Sequence, residues 1–219
     1  MMLTLVFIAE AMSSSSFALL KRPDLGFLFL GAALAVVLGW SKAYRRRLES
    51  DAVEWIRDAR VALDAGRDRE ASCKAADAAR GAAASSTRNA ALKILVWVAL
   101  VQGKPNAARR ILEEIQPRHG VDAYTLAAVE NAEGRPKSAI STLERAKQKG
   151  SIGREGGRLL IDLYAGLGDF KRVATATREL LNVLEPDDIR LVVRFLEDAG
   201  DFRDAAQLSC ASAVQDGAA

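Results

Sequence analysis

Hydrophobic positions along this chain follow two rules. From Leu25 to Tyr44 they run almost unbroken, with Lys42 the only charge, whereas beyond residue 52 they recur three and four apart, as on one face of a helix. The second pattern is itself repeated. A Gly followed five residues later by a small or apolar residue occurs as Gly66 with Ala71, Gly103 with Ala108, Gly134 with Ala139, Gly168 with Val173 and Gly200 with Ala205, at spacings of 37, 31, 34 and 32 residues. Such a period predicts stacked helix pairs, because a single hairpin cannot bury its apolar face alone. The expected fold is all-α, a transmembrane helix followed by an α-solenoid of about five hairpins. The expected boundaries are an apolar segment over 1–24, the membrane helix over 25–44, a basic juxtamembrane linker over 45–51 and the repeat domain over 52–217.

The unbroken run is long enough to matter. Twenty residues at about 1.5 Å each span roughly 30 Å of hydrocarbon. Trp40 and Tyr44 stand where interfacial aromatics belong, and Arg45, Arg46 and Arg47 follow at once. With Lys42 these outweigh Lys21 and Arg22 on the other side, which places the repeats in the cytoplasm by the positive-inside bias. Residues 1–20 carry Leu3, Leu5, Val6, Phe7 and Ile8 but also Glu10 and the serines 13–16. A second span, an interfacial helix and a partner contact all stay open for them. Gly31, Ala35 and Gly39 fall four apart and form a small-residue stripe, a candidate contact for another membrane helix.

Within the repeats, Lys104-Pro105 and Arg135-Pro136 mark turns in which Pro opens the second helix, where its missing N–H is no loss. Leu160, Tyr164, Gly168-Asp169-Phe170 and Leu180 in the fourth repeat, and Val192, Leu196, Gly200-Asp201-Phe202 and Ala205 in the fifth, follow a recognisable spacing. Here the chain resembles the tetratricopeptide repeat family, whose 34-residue unit carries W-x2-L-G-x2-Y, A-x3-F and P. The resemblance covers about residues 52–216 and is degenerate in the first three repeats, where Trp55, Gly66, Leu95, Gly103, Leu126 and Gly134 are among the matching positions. A related solenoid or a compact helical bundle remains the alternative. The resemblance implies that the first helix of each pair lines a concave groove for a peptide or helix of a partner. By position, Ile56, Arg60, Lys93, Trp97, Tyr124, Ala128, Asn131, Arg158, Asp162, Arg190 and Arg194 then face it.

Charge and chemistry narrow the classes. The net charge is +3, and three cations against two carboxylates in residues 1–44 leave +2 for the remainder, with both signs interspersed. A nucleic-acid footprint is not expected. Cys73 and Cys210 lie four repeats apart, too far for a disulfide, and read as small buried helix residues. The single histidine, His119, sits beside Pro117 and Gly120 in a link and reads as exposed. No catalytic or metal motif is present, and Gly150 to Gly157 reads as a loop rather than a phosphate cradle, so neither an enzyme nor a cofactor is expected.

The helix over 90–101 is apolar almost all round, so it is either enclosed or a docking surface, with Trp97 the residue to test. The partner-binding candidates are Trp97, Lys93, Tyr124, Arg158, Arg190 and Arg194, the arginines being placed to accept carboxylates of an acidic segment. Ala205, Ala206, Leu208, Ala211 and Val214 give the last helix an apolar side. The function expected is a membrane-anchored scaffold or adaptor of bacterial inner-membrane type, its repeats holding other proteins near the bilayer; the alternative is an accessory structural subunit of a larger membrane complex.

Overall fold

A computed structural model describes the chain over residues 23–115 and 121–217, with side-chain surroundings over 34–115 and 121–211. Residues 1–22, 116–120 (with Pro117 and His119) and 218–219, and the side chain of Val214, lie outside that description. Ten α-helices and no strand occur among the described residues. They are α1 (Pro23–Asp64), α2 (Asp68–Gly81), α3 (Ser85–Val101), α4 (Pro105–Glu114), α5 (Ala123–Ala132), α6 (Pro136–Gln148), α7 (Arg154–Gly166), α8 (Phe170–Glu179), α9 (Pro186–Asp198) and α10 (Phe202–Gly217). The chain divides into two units, Met1–Asp51 and Ala52–Ala219.

In the first unit the stretch 45–51, expected as a linker, is helical. The expected membrane span over 25–44 falls partly outside the described side chains. Among the described residues no helix is long and apolar enough to cross a membrane. From Leu34 to Tyr44 every residue is exposed, the large apolar Leu34, Val36, Val37, Leu38, Trp40 and Tyr44 over an arc of about 200° and Ala35, Gly39, Ala43 and Lys42 over the rest. Ala35 and Gly39 of the small-residue stripe are exposed too, and a Cβ at Gly39 would meet nothing; the surroundings of Gly31 lie outside the description.

The second unit is a run of antiparallel helix pairs, each closed by the same turn. Gly66, Gly103, Gly134, Gly168 and Gly200 all have φ between 67° and 80°, the left-handed region that side chains disfavour. At the first of them, Gly66 donates to the Leu63 carbonyl and Arg67 to the Ala62 carbonyl, and the same two bonds recur at Gly103, Gly134, Gly168 and Gly200. These pairs satisfy the last carbonyls of each first helix and reverse the chain. The residue five beyond each glycine then faces inward: Ala71, Ala108, Ala139 and Val173 are fully buried and Ala205 nearly so. Pro105, Pro136 and Pro186 open α4, α6 and α9, the last within a reciprocal cap of Glu185 and Asp188.

First helices stack on first helices, α3 on α5 and α5 on α7, while α8 lies against α10 in the second row. The longer first spacing is taken up by α2, whose 14 residues exceed the 10 of α4 and α8. Two expectations fail on helix geometry. Cys73 and Cys210 are exposed, because each sits two residues from a buried neighbour, Ala71 or Ala75 and Leu208, and two residues turn a helix by about 200°. Ala206 is exposed for the same reason, half a turn or less from buried Ala205 and Leu208 but on neither of their lines. Gly150 to Gly157 is a loop only in part. Gly150 is a sixth left-handed cap, whereas Gly156 and Gly157 lie in the first turns of α7, where a Cβ on Gly157 would come within 3.2 Å of Leu180.

Candidate functional site

A cavity of about 830 Å³ is lined mainly by the first helices of successive pairs, with Leu143 of α6 reaching it from a second helix. Its walls come from successive repeats. Ile56, Arg60 and Asp64 on the end of α1, Lys93 and Trp97 on α3, Tyr124 on α5 and Ile152 to Gly156 at the start of α7 all line it. Helix α3 explains why the aromatic surface is there. Ala91, Leu92, Ile94, Val96, Val98 and Ala99 are buried, while Trp97, between them, is half-buried and turned to the cavity. The helix is therefore enclosed on most sides and open along one line, and Val101 at its end is 63% exposed.

Trp97 and Tyr124 meet across the floor, their ring centroids 4.9 Å apart at 32°, an offset contact worth about 0.5–1.5 kcal/mol beyond area burial. Asp122 fixes this corner. Its Oδ1 accepts the Thr125 backbone N–H at 2.7 Å as the cap of α5, and its Oδ2 takes the Lys93 ammonium at 2.8 Å. Burial works against its charge, but the Lys93 and Thr125 hydrogen bonds outweigh that and hold its carboxyl below the ordinary range. Burial pushes the Tyr124 phenol up, and the negative charges of Glu155 and Asp122 push it the same way. Tyr124 thus stays a neutral hydroxyl and ring at physiological pH.

A smaller cavity of about 150 Å³ follows between α7 and α9, lined by Arg158, Ile161, Asp162, Asp188, Leu191 and Phe195 among others. Its charges are largely matched already. Asp188, 5% exposed, accepts Arg154 Nε at 2.8 Å, and Arg158 Nη1 stands 3.6 Å from its other oxygen. Arg154 also pairs with Glu185. The Arg154 hydrogen bond holds the Asp188 carboxyl low against the cost of burial.

Of the residues that the sequence singles out, the structure brings Lys93, Trp97 and Tyr124 into one cavity with Ile56 and Arg60, and Arg158 with Asp162 into the next. Arg190 is exposed and pairs with Asp187 on its own helix, and exposed Arg194 lines neither cavity; nor do Ala128 and Asn131. The arginines expected to await an acidic segment are thus mostly engaged. Asp122, Arg154, Glu155 and Asp188 were missed. A signal existed for three of them: Asp122 stands just before the apolar run of α5, where a helix cap belongs, and Arg154 and Asp188 are 34 residues apart, one repeat. No protein-family model matches this chain, and comparison with curated proteins finds no relative.

Proposed function

We propose that the chain is a membrane-anchored helical-repeat scaffold of tetratricopeptide-like type, whose groove holds a segment of another protein near the bilayer. The observation that carries the reading is the half-buried Trp97–Tyr124 pair on the floor of a cavity of about 830 Å³ built mainly by four successive helices of one row. Aromatic residues set in a concave, partly desolvated surface are the residues on which binding energy concentrates. The anchor rests on the sequence of 25–44 and is supported by the exposure of large apolar side chains from Leu34 to Tyr44, which no groove-bound helix needs. Tethering raises the effective concentration of whatever the groove holds.

Membrane vesicles from cells expressing the full chain, washed with carbonate, test the anchor: retention in the pellet supports it, and release into the supernatant removes it. Photo-crosslinking from a probe placed at Tyr124, compared between the natural chain and Trp97→Leu, tests the groove. Loss of the crosslinked partner with unchanged thermal unfolding supports docking there. Unchanged crosslinking together with a lowered Tm makes Trp97 a packing residue and rejects the groove.

A further inference from the structure

The charges left over in the groove are negative. Of the cations lining the larger cavity, Lys93 is held by Asp122 at 2.8 Å and Arg154 by Asp188 and Glu185, which leaves Arg60. Against it stand Asp64 and Glu155 on the rim of the same cavity and Asp162 in the next, none of which has an ion pair among the described residues. Arg60 and Asp64 are one turn apart on α1, and Arg158, one turn before Asp162 on α7, acts on that carboxylate, which leaves Glu155 without an ion pair among the described residues. The cavity that Glu155 lines also holds the Trp97–Tyr124 ring pair, and ring faces attract cations.

From this arrangement, and resting on the docking reading above, we propose that the groove's occupant is a peptide segment pairing an apolar residue with a lysine or arginine, its cationic head over the Trp97 and Tyr124 rings and facing Glu155. This reverses the acidic partner that the arginines of the sequence suggest, because Arg158 and Arg190 are paired within the fold and Arg194 lines neither cavity. The chain as a whole carries +3, so general electrostatics works against a basic ligand and any preference for one has to come from the groove.

A short random-peptide library selected on the immobilised full chain in detergent tests it. Peptides enriched on the natural chain but not on Trp97→Leu are synthesised, each also with its basic residues changed to Glu, and their affinities measured by fluorescence anisotropy. The expected result is enrichment of basic-apolar sequences, a loss of about three- to tenfold on Glu155→Gln and little change on Arg60→Gln. Glu155 is exposed, so Glu155→Gln keeps the fold when Trp97→Leu does not. Trp97-dependent peptides that are acidic or neutral, or that bind Glu155→Gln unchanged, overturn the basic partner and leave the groove standing. Selection of no Trp97-dependent peptide overturns both.

Discussion

The first two hairpins and the last two close on the same glycine turn and differ in what fills the space between their helices. Between α1, α2 and α3 the buried residues are mostly alanines, in separate groups around Ala59, Ala62, Ala71 and Ala75 and around Ala52, Ala78 and Ala91. From α5 to α10 one continuous cluster joins Leu143, Leu160, Val173, Leu180, Leu196 and Leu208. Phe170 stacks on Phe195 of the next hairpin and Arg172 lies over the Tyr164 ring. Both halves leave some bulk outside, Val53, Val61 and Val101 in the first and Leu167, Leu191 and Phe202 in the second, but it is in the first that Trp97 turns to the larger cavity. The same repeat thus yields a firm half, which carries the stability, and a softer half, which presents the surface.

The largest effect expected from this contrast is in the firm half. Leu160 is fully buried, and Leu160→Ala removes a branched side chain from a continuous core, at a cost of about 2–5 kcal/mol. Ala75 is equally buried, yet Ala75→Gly removes one methyl and costs about 1 kcal/mol, mostly through helix propensity. Chemical unfolding of the two variants measures the ratio, and equal losses would erase the distinction. Native-state hydrogen exchange sharpens it: amides of α2 and α3 open at lower free energy than those of α7 and α9.

The two halves are fastened by an ion pair at their seam. Arg109 on α4 grips Glu133, in the turn after α5, through Nε at 2.9 Å and Nη2 at 2.7 Å, with Arg135 on the same carboxylate. The Arg109 hydrogen bonds lower the Glu133 pKa from 4.5 to about 2, against the opposing effect of burial. A depressed carboxyl contributes stability that is fully present above its unfolded value and disappears as the pH falls through its folded one. Glu133→Gln therefore costs about 1.5–3 kcal/mol at neutral pH. It also flattens the stability–pH curve between about 4.5 and 2. A variant whose acid slope matches that of the natural chain would mean the seam is held elsewhere. Lys93 on α3 and Asp122 at the cap of α5, paired at 2.8 Å across the same seam, are the alternative fastening.

The hairpins and their stacking were legible because each rests on a local signal: glycine where φ must be positive, proline where a donor is dispensable, a small residue five positions on. The cavity was legible in its aromatic half, since Trp97, six residues before its repeat's glycine, and Tyr124, ten before the next, both fall at positions that the repeat assigns to the groove. Its charge was not. An arginine in a sequence has no visible partner, and Arg154 meets Asp188 only after α7 and α9 have been laid side by side. The cysteines are exposed for a simpler reason: small size does not set burial, which follows the helix around its steps of about 100°.

The smallest test separates the turn from the helix that feeds it. Gly166 and Gly168 are two residues apart at the end of α7, and a Cβ at either meets no atom within 4 Å, so neither is required by crowding. They differ in backbone. Gly168 has φ of 71° and closes the turn, whereas Gly166 is the last helical residue and takes no such conformation. Gly168→Ala is expected to lose about 1 kcal/mol from left-handed strain. Gly166→Ala gains about 0.5–1 kcal/mol by restoring helix propensity and narrowing the unfolded ensemble. Opposite shifts in Tm from one added methyl, two positions apart, would isolate φ as the reason glycine sits at the repeat position. Shifts of the same sign would mean that the turn tolerates a side chain and that the repeat is held by stacking alone.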